Sequence, residues 1–494
     1  MIFSLVYVLP IIIANRYYND DLSRALNGQL GWNEDGRPLM QLLLQFLGGG
    51  SGLAVDIAPL PLILALIVLA YSLTIYAQNI LTFMKTNVII TLALFTFILN
   101  PFMLFAWPYK FDIIGMALSL GLILILFSIS VLGRWWSNLI VSVAVGIIVM
   151  MIYQPSIGLA VGLCLIGAFL WLLGKRSTEE LHNDVIRMTG AGIGALLYKV
   201  LIVDFFIVET SGDWRYNASQ TVELGNSAVK QIMINLYNMM LYIYRYYKNN
   251  MSTVFKVLIV LGLVTIHCLT VAKIYSGKYS DKDSRAVRIL KSAAVLVMPV
   301  VITMGICAPL TLLNDISSRG RLFLAFGAVM LFFGIEMGLL TESKVGRIAT
   351  IILGVMYVLY AFSFMYMFGN ASSSQKEYET YLVQNMTKDI EELSEMNSED
   401  SASEEISIIG STPYSNETKL LADKYPALTE LVPAYITNSW WLGGAYLRRY
   451  ASIPLMFSEA TEDEINYVNS VSPDRSNLIY DMYIDNNHVF IKYR

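Results

Sequence analysis

Apolar runs close to twenty residues long recur along the whole chain, and they leave few options. A bilayer core is ~30 Å thick and a helix rises ~1.5 Å per residue, so about 20 apolar residues cross it. Backbone groups inside lipid have no water to bond, so such runs must be helical. They fall at about Leu60–Tyr76, Val88–Trp107, Ile113–Leu132, Leu139–Ile152, Ile157–Leu173, Gly190–Val208, Val254–Ala272, Ala293–Leu313, Leu322–Thr341 and Ile348–Phe368. With the shorter run Met1–Ala14 they make eleven. The reading is an α-helical polytopic membrane protein, in keeping with a mean hydropathy of +0.56.

Met1–Ala14 is too short to cross alone, so either the helix continues through Tyr17 and Tyr18 or the bilayer thins there. It lacks the basic start and small-residue cleavage site of a signal peptide. Leu39–Leu47, closed by Gly48, Gly49 and Gly50, is shorter still and is expected to lie along the interface. The later stretch 228–247 puts Val229, Ile232, Met233, Leu236, Met240 and Ile243 on one helical face. It reads as a second interfacial helix or as a helix packed against its neighbours.

Charge assigns the sides. Loops holding Lys85, Arg134, Lys175, Arg176, Arg187, Lys344 and Arg347 alternate with loops poorer in Lys and Arg, and Lys273–Lys291 alone carries six basic residues. By the positive-inside rule these loops are cytoplasmic, as is the N-terminus. The external loops are then 15–58 and 209–252. Residues 370–494 hold 20 of the 38 acidic residues and 9 of the 34 basic ones. They are expected to form a separate external module after a membrane domain over 1–369. That module reads as a polar helix over Gln375–Asn397, a Ser/Glu/Asp-rich linker and a small α/β unit. The unit has a strand at Ile406–Ile409, a helix at Glu417–Lys424, and a hairpin of Ile479–Ile484 with Val489–Tyr493.

One short span concentrates the chemistry. Asn15–Pro38 packs Asp20, Asp21, Glu34 and Asp35 with Arg16, Arg24 and Arg37, in a chain only 15% charged. Tyr17, Tyr18 and Trp32 sit beside the acidic pairs, as aromatic rings do at headgroup level. Neighbours on a helix point ~100° apart, so Asp20 and Asp21 need not share a role. One could take a proton from a hydroxyl while the other orients it or holds a divalent cation. The plainer reading is a helix cap before LSRAL, supplied by Asn19, Asp20 or Asp21. Glu34, Asp35 and Arg37 form a second group around Gly36, which allows a tight turn; Arg37 could clamp a phosphate through its fork of N–H donors. Arg319 and Arg321, in the external run Asn314–Arg321, break the charge bias. They read as phosphate ligands or as interfacial side chains reaching for water. Weaker signals are Lys110 and Asp112, Tyr153–Gln154–Pro155, Glu209 with Asp213 and Arg215, and the charges Lys199, Asp204 and Glu336 inside predicted spans.

Other chemistries lack their residues. Cys164, Cys268 and Cys307 each lie in an apolar run and give no disulfide framework. His182, His267 and His488 are too scattered to suggest a histidine metal site. No Walker lysine motif points to ATP, no GxSxG elbow to a hydrolase, and no basic stripe to nucleic acid.

YYNDDLSRALNGQLGWNEDGRPL, DIAPLPLILALIVLA and SSRGRLFLAFG resemble the bacterial and phage-encoded O-antigen serotype-converting glucosyltransferases. The tail segments ISIIGSTP, KYPALTELVP and YDMYIDNNHVFIKY fit more loosely. The resemblance implies a GT-C-type enzyme in the bacterial inner membrane. Such an enzyme takes a sugar, here glucose, from a polyprenyl-phosphate donor at the periplasmic face and passes it to a lipid-linked O-antigen repeat. It further implies a catalytic Asp in the first external loop, where Asp20 and Asp21 stand. Arg16, Arg37, Arg319 and Arg321 are then expected around the phosphate, and Glu34 or Asp35 at the acceptor or as a second carboxylate. The rivals are a lipid-linked-glycan flippase, which would carry inverted repeats and deep charges, an O-antigen polymerase, and a membrane scaffold.

Overall fold

Eight helical segments among the described residues are long and apolar enough to cross a membrane: Leu60–Ile80, Trp135–Ile152, Gln154–Leu172, Thr178–Val203, Thr253–Tyr275, Arg285–Leu312, Gly320–Leu340 and Lys344–Leu393. The computed structural model describes the chain apart from residues 85–86, 130–133, 204–219, 223–224, 226, 280–282, 315–318, 342, 398–403, 439, 452–454 and 486–487, and apart from the side chains of 87–89, 394–397, 404 and 440–441. Three further apolar helices are shorter: α1 (Ile2–Ala14), α3 (Pro38–Leu47) and α6 (Ile113–Ser128). Between α1 and α3 lies the seven-residue α2 (Asp21–Asn27).

The expected span Val88–Trp107 stops early, as α5 (Asn87–Ile98), after α4 (Leu60–Ile80). The cause is Asn100 before Pro101. A residue before proline avoids the helical region, and Asn100 is extended, at φ −50° and ψ 124°. Its side chain accepts the Phe102 N–H at 3.1 Å and donates to the Leu324 carbonyl at 2.9 Å. Pro101–Phe105 then winds as a 3₁₀ turn.

Three more 3₁₀ segments stand at helix ends among the described residues. Gln154–Ile157 separates α7 (Trp135–Ile152) from α8 (Gly158–Leu172), and α9 (Thr178–Tyr198) follows. After α10 (Ala228–Asn249) and α11 (Thr253–Tyr275), α12 (Arg285–Cys307) ends in the 3₁₀ turn Ala308–Leu312. Gly320–Phe326 is a 3₁₀ segment that leads into α13 (Gly327–Leu340). Such segments are normally short. Here they sit, mostly buried, at the ends of the helices, the layer on which the charged residues meet. Lys273, Arg285 and Arg288 lie at the far ends of α11 and α12, about 34 Å away by helix rise.

α14 (Lys344–Asn397) is a single helix of 54 residues, so the polar helix expected over Gln375–Asn397 continues the last span without a break. α1 lies along it; a Cβ on Gly369 would stand 2.3 Å from Pro10 Cβ, so only glycine permits that approach. Beyond Gly369, Leu382, Val383, Met386 and Ile390 turn one buried face to the C-terminal module.

That module is a five-stranded sheet in the order β2-β1-β5-β4-β3, built from β1 (Glu404–Ile409), β2 (Leu455–Phe457), β3 (Arg475–Ser476), β4 (Tyr480–Asp485) and β5 (His488–Tyr493). β1 runs parallel to β2 and β5; β4 and β5 pair antiparallel from Tyr480–Tyr493 to Asp485–His488, as the expected hairpin. Among the described residues four short helices accompany it: α15 (Asn416–Lys424), α16 (Ala427–Leu431), α17 (Trp440–Arg448) and α18 (Glu462–Ser470). The two cores interlock. Leu22 of α2 is buried in the module's core, while Leu428, Leu431 and Val432 are fully buried in the core of the helical part. Burial of each such leucine stabilises the seating by about 1.5–3 kcal/mol.

Candidate active site

The chain leaves α1 through Asn15 and Asn19, both left-handed at φ 44° and 50°. Asparagine tolerates that region better than most residues. Asn19 is pinned on both sides: its N–H donates to the Tyr435 hydroxyl at 2.6 Å, and its amide to the Tyr109 hydroxyl at 2.7 Å. The turn sets Asp20 at the N-cap position of α2, yet its side chain makes no capping bond. Capping therefore does not account for Asp20.

Arg24, one turn on, takes it instead. Arg24 Nε donates to Asp20 Oδ2 at 2.8 Å, and Nη2 lies 2.7 Å from the same oxygen. The guanidinium sits 3.9 Å over the Trp32 ring and also donates to the Leu30 carbonyl. Trp32 is fully buried and gives its indole N–H to Asp112 Oδ1 at 2.9 Å. Arg37 Nη1 lies 3.9 Å from that oxygen, and its Nε donates to Gln154 Oε1 at 2.9 Å. Arg321 donates to the Tyr109 hydroxyl at 2.6 Å, and its carbonyl accepts the Tyr153 hydroxyl at 2.9 Å. The fold thus gathers two carboxyls, Asp20 and Asp112, and three guanidiniums, Arg24, Arg37 and Arg321, over Trp32, Tyr109 and Tyr153.

The two neighbouring aspartates part company. The Asp20 side chain is 35% exposed, whereas Asp21 is wholly buried. Asp21 Oδ2 accepts the Lys110 N–H at 2.9 Å and the Tyr18 N–H at 3.3 Å; its Oδ1 is buried without a hydrogen bond. Burial, then the Asp20 charge, push the Asp21 carboxyl well above the carboxylate range. For Asp20 burial is again the largest influence and raises it, but the Arg24 and Arg321 charges and the Arg24 hydrogen bond outweigh it, leaving Asp20 below its ordinary value. Asp112 ends raised: burial dominates, Arg24 opposes, and the Asp20 charge adds. One pocket thus pushes neighbouring carboxyls in opposite directions.

The other expected site residues lie as follows. Arg16 is buried in an ion pair with Glu379 of α14 at 2.9 Å, donates to the Pro433 carbonyl at 2.6 Å, and stacks on Tyr435, so it stands apart from the cluster. Arg319 is exposed at the edge of the layer. Glu34 is exposed, and Asp35 half-buried in the turn that carries Arg37. Gly36 makes that turn at φ 71°. The turn is fastened to the α7–α8 junction and to α9: Gln154 donates to the Asp35 carbonyl at 3.2 Å and Tyr198 to the Gly36 carbonyl at 2.6 Å. Glu336 pairs with His267 at 2.8 Å far from the cluster in sequence and element. Asp204, Glu209, Asp213 and Arg215 lie outside the described residues. A small apolar recess between α5, α13 and α14 is lined by Leu92, Thr96, Gly334 and Tyr357, and none of the charged cluster lines it.

A family model described as Glucosyl transferase GtrII matches residues 9–332 of the 494. The chain belongs to the glucosyl transferase GtrII family. The matched residues of this family include the whole charged cluster, from Asp20 to Arg321, and end inside α13. The chain is also 22% identical over 455 residues to an uncharacterized 55.3 kDa protein in the gtrB 5' region of Salmonella phage P22, covering 90% of this chain and 88% of that one. No solved structure matches the chain.

Proposed function

We propose that the chain transfers glucose from a polyprenyl-phosphate donor to a lipid-linked O-antigen repeat at the periplasmic face of the bacterial inner membrane. Membership of a glucosyltransferase family and the eight apolar helices support the general activity and setting. The cluster supports the mechanism: one carboxyl pushed toward its ionised form and about a third exposed, beside three guanidiniums that leave a positive excess.

In this reading Asp20 takes the proton of the acceptor hydroxyl. The hydroxyl oxygen bonds to the anomeric carbon as the bond from that carbon to the phosphate oxygen breaks. The phosphate leaves with the bonding pair, and Arg321, Arg37 and Arg24 stabilise the charge it gains. Such preorganised donors are worth about 10²–10³ in rate each. A polyprenyl phosphate is already a good leaving group, so no strong acid is required of the chain. Asp21, without solvent access, serves the turn and not the proton transfer.

The sidedness of the proposal follows the charge bias. The cluster, the 3₁₀ layer and the acidic C-terminal module share one end, and the basic residues Lys273, Arg285 and Arg288 lie at the other. Counting α1, α5 and α6 as short spans beside the eight gives eleven crossings, which would set the N-terminus and the module on opposite sides, and the positive-inside rule favours the cytoplasm for the N-terminus. Asp20→Asn in membranes supplied with a polyprenyl-phosphate glucose tests the reading. Transfer at the wild-type rate removes Asp20 as the base.

A further inference from the structure

Glu430 touches three elements that meet at the site, though it lies outside the family match. Its Oε1 accepts the Gly320 N–H at 3.0 Å, and its Oε2 accepts the Tyr242 hydroxyl of α10 at 2.7 Å. Its carbonyl accepts the Tyr18 hydroxyl at 3.2 Å, and the Tyr18 N–H in turn bonds Asp21. We propose that Glu430 is a positioning residue for Arg321, so that the C-terminal module completes the donor-phosphate site. This rests on the reading above, in which Arg321 meets the phosphate.

The geometry gives Glu430 control of Arg321 without neutralising it. Gly320 directly precedes Arg321, and a carboxylate on its N–H fixes the backbone while leaving the guanidinium charge free for an anion. No side chain fits at Gly320: a Cβ there would stand 2.2 Å from the Phe105 ring. Once that backbone is fixed, the Arg321 carbonyl meets Tyr153 and its side chain meets Tyr109. The anchor itself is rigid. Glu430 rides on α16, whose Leu428 and Leu431 are fully buried, and the Ala427 N–H donates to Asn250 Oδ1 at 2.6 Å. A buried seat of this kind is what a positioning group needs to hold a functional side chain to fractions of an ångström.

The test uses the full-length protein in nanodiscs and a synthetic polyprenyl-phosphate glucose as the titrated probe. Arg321→Ala is expected to weaken binding by about tenfold or more, the scale of a charged hydrogen bond. Glu430→Ala and Glu430→Asp, which cannot reach Gly320, are expected to weaken it by about tenfold, and Glu430→Gln, which keeps an acceptor there, by less than about threefold. The double variant Glu430→Ala/Arg321→Ala is expected to bind no more weakly than Arg321→Ala alone, because residues acting through one another are not additive. Should Glu430→Ala fail to fold, the Asp and Gln variants carry the comparison. Wild-type binding in Glu430→Ala and Glu430→Asp with weak binding in Arg321→Ala overturns the positioning role and spares the reading of Arg321. Full additivity in the double variant also overturns it. Wild-type binding in Arg321→Ala overturns the reading of Arg321 and the positioning role with it.

Discussion

Asp20 and Asp21 are adjacent in the chain and opposite in environment: one faces Arg24 at 2.7 Å with its side chain about a third exposed, the other is sealed against two backbone N–H groups. The difference separates their roles. Asp20→Asn removes the proposed base, and a fall of about 10²–10⁴ in transfer rate is expected. Asp21→Asn keeps an oxygen for the N–H groups of Lys110 and Tyr18 and is expected to stay within about tenfold, since it loses no group that meets substrate. Sugar transfer on membranes, normalised to folded protein, measures both.

Asp21 also makes a pH prediction. Its carboxyl is raised well above 3.8, so the folded state holds its proton more tightly than the unfolded state. The stability tied to the protonated form is fully present below pH 3.8 and is lost as pH rises through the folded value. Asp21→Asn removes this loss. The melting temperature of the wild type is expected to fall relative to the variant as pH is raised above the ordinary carboxylate range. Parallel curves for the two proteins would show that Asp21 is not strained by ionisation.

Much of this was legible in the chain and some was not. The apolar runs located the helices, because lipid forces them to be helices. The boundary at Asn100–Pro101 was written in the proline, yet the apolar run through Trp107 masked it. Arg24 is four residues from Asp20, a spacing that pairs charges on a helix, and the pairing is there. Asp112 and Gln154 stood out only weakly, since nothing in sequence says that residues about eighty and about 120 positions after the opening stretch return to Trp32 and Arg37. Glu430 carries no local signal at all: its partners Gly320, Tyr242 and Tyr18 are brought to it by the seating of α16. Arg16 shows the converse. Its place beside Asp20 in sequence is shared with a long helix whose Glu379 claims it.

The Arg24–Asp20 contact sets the working pH of the proposed base. An opposite charge at this distance favours the ionised carboxyl. Arg24→Met removes the nearer cation and leaves Arg321, so the Asp20 carboxyl is expected to rise. The acid limb of kcat/KM then moves upward by about one pH unit or more. A simple loss of packing over Trp32 would lower the rate at every pH and leave the limb in place. The pH–rate profile on membranes separates the two.

Arg16 and Glu379 join the exit of α1 to α14, and both side chains are almost wholly buried. Glu379 also accepts the Tyr435 N–H at 3.1 Å and the Gln375 amide at 3.2 Å, so the pair fastens the module to the membrane helices. Removing one partner of a buried pair strands the other charge. Arg16→Met is therefore expected to cost about 3–5 kcal/mol, and Arg16→Met/Glu379→Met to recover most of it, because two apolar side chains leave no charge unpaired. Activity measured below the melting temperature distinguishes a fastening from a ligand. The double variant should transfer sugar at close to the wild-type rate if Arg16 only holds the module in place. A double variant that is stable but inactive would return Arg16 to the phosphate site, where its position in the sequence first put it.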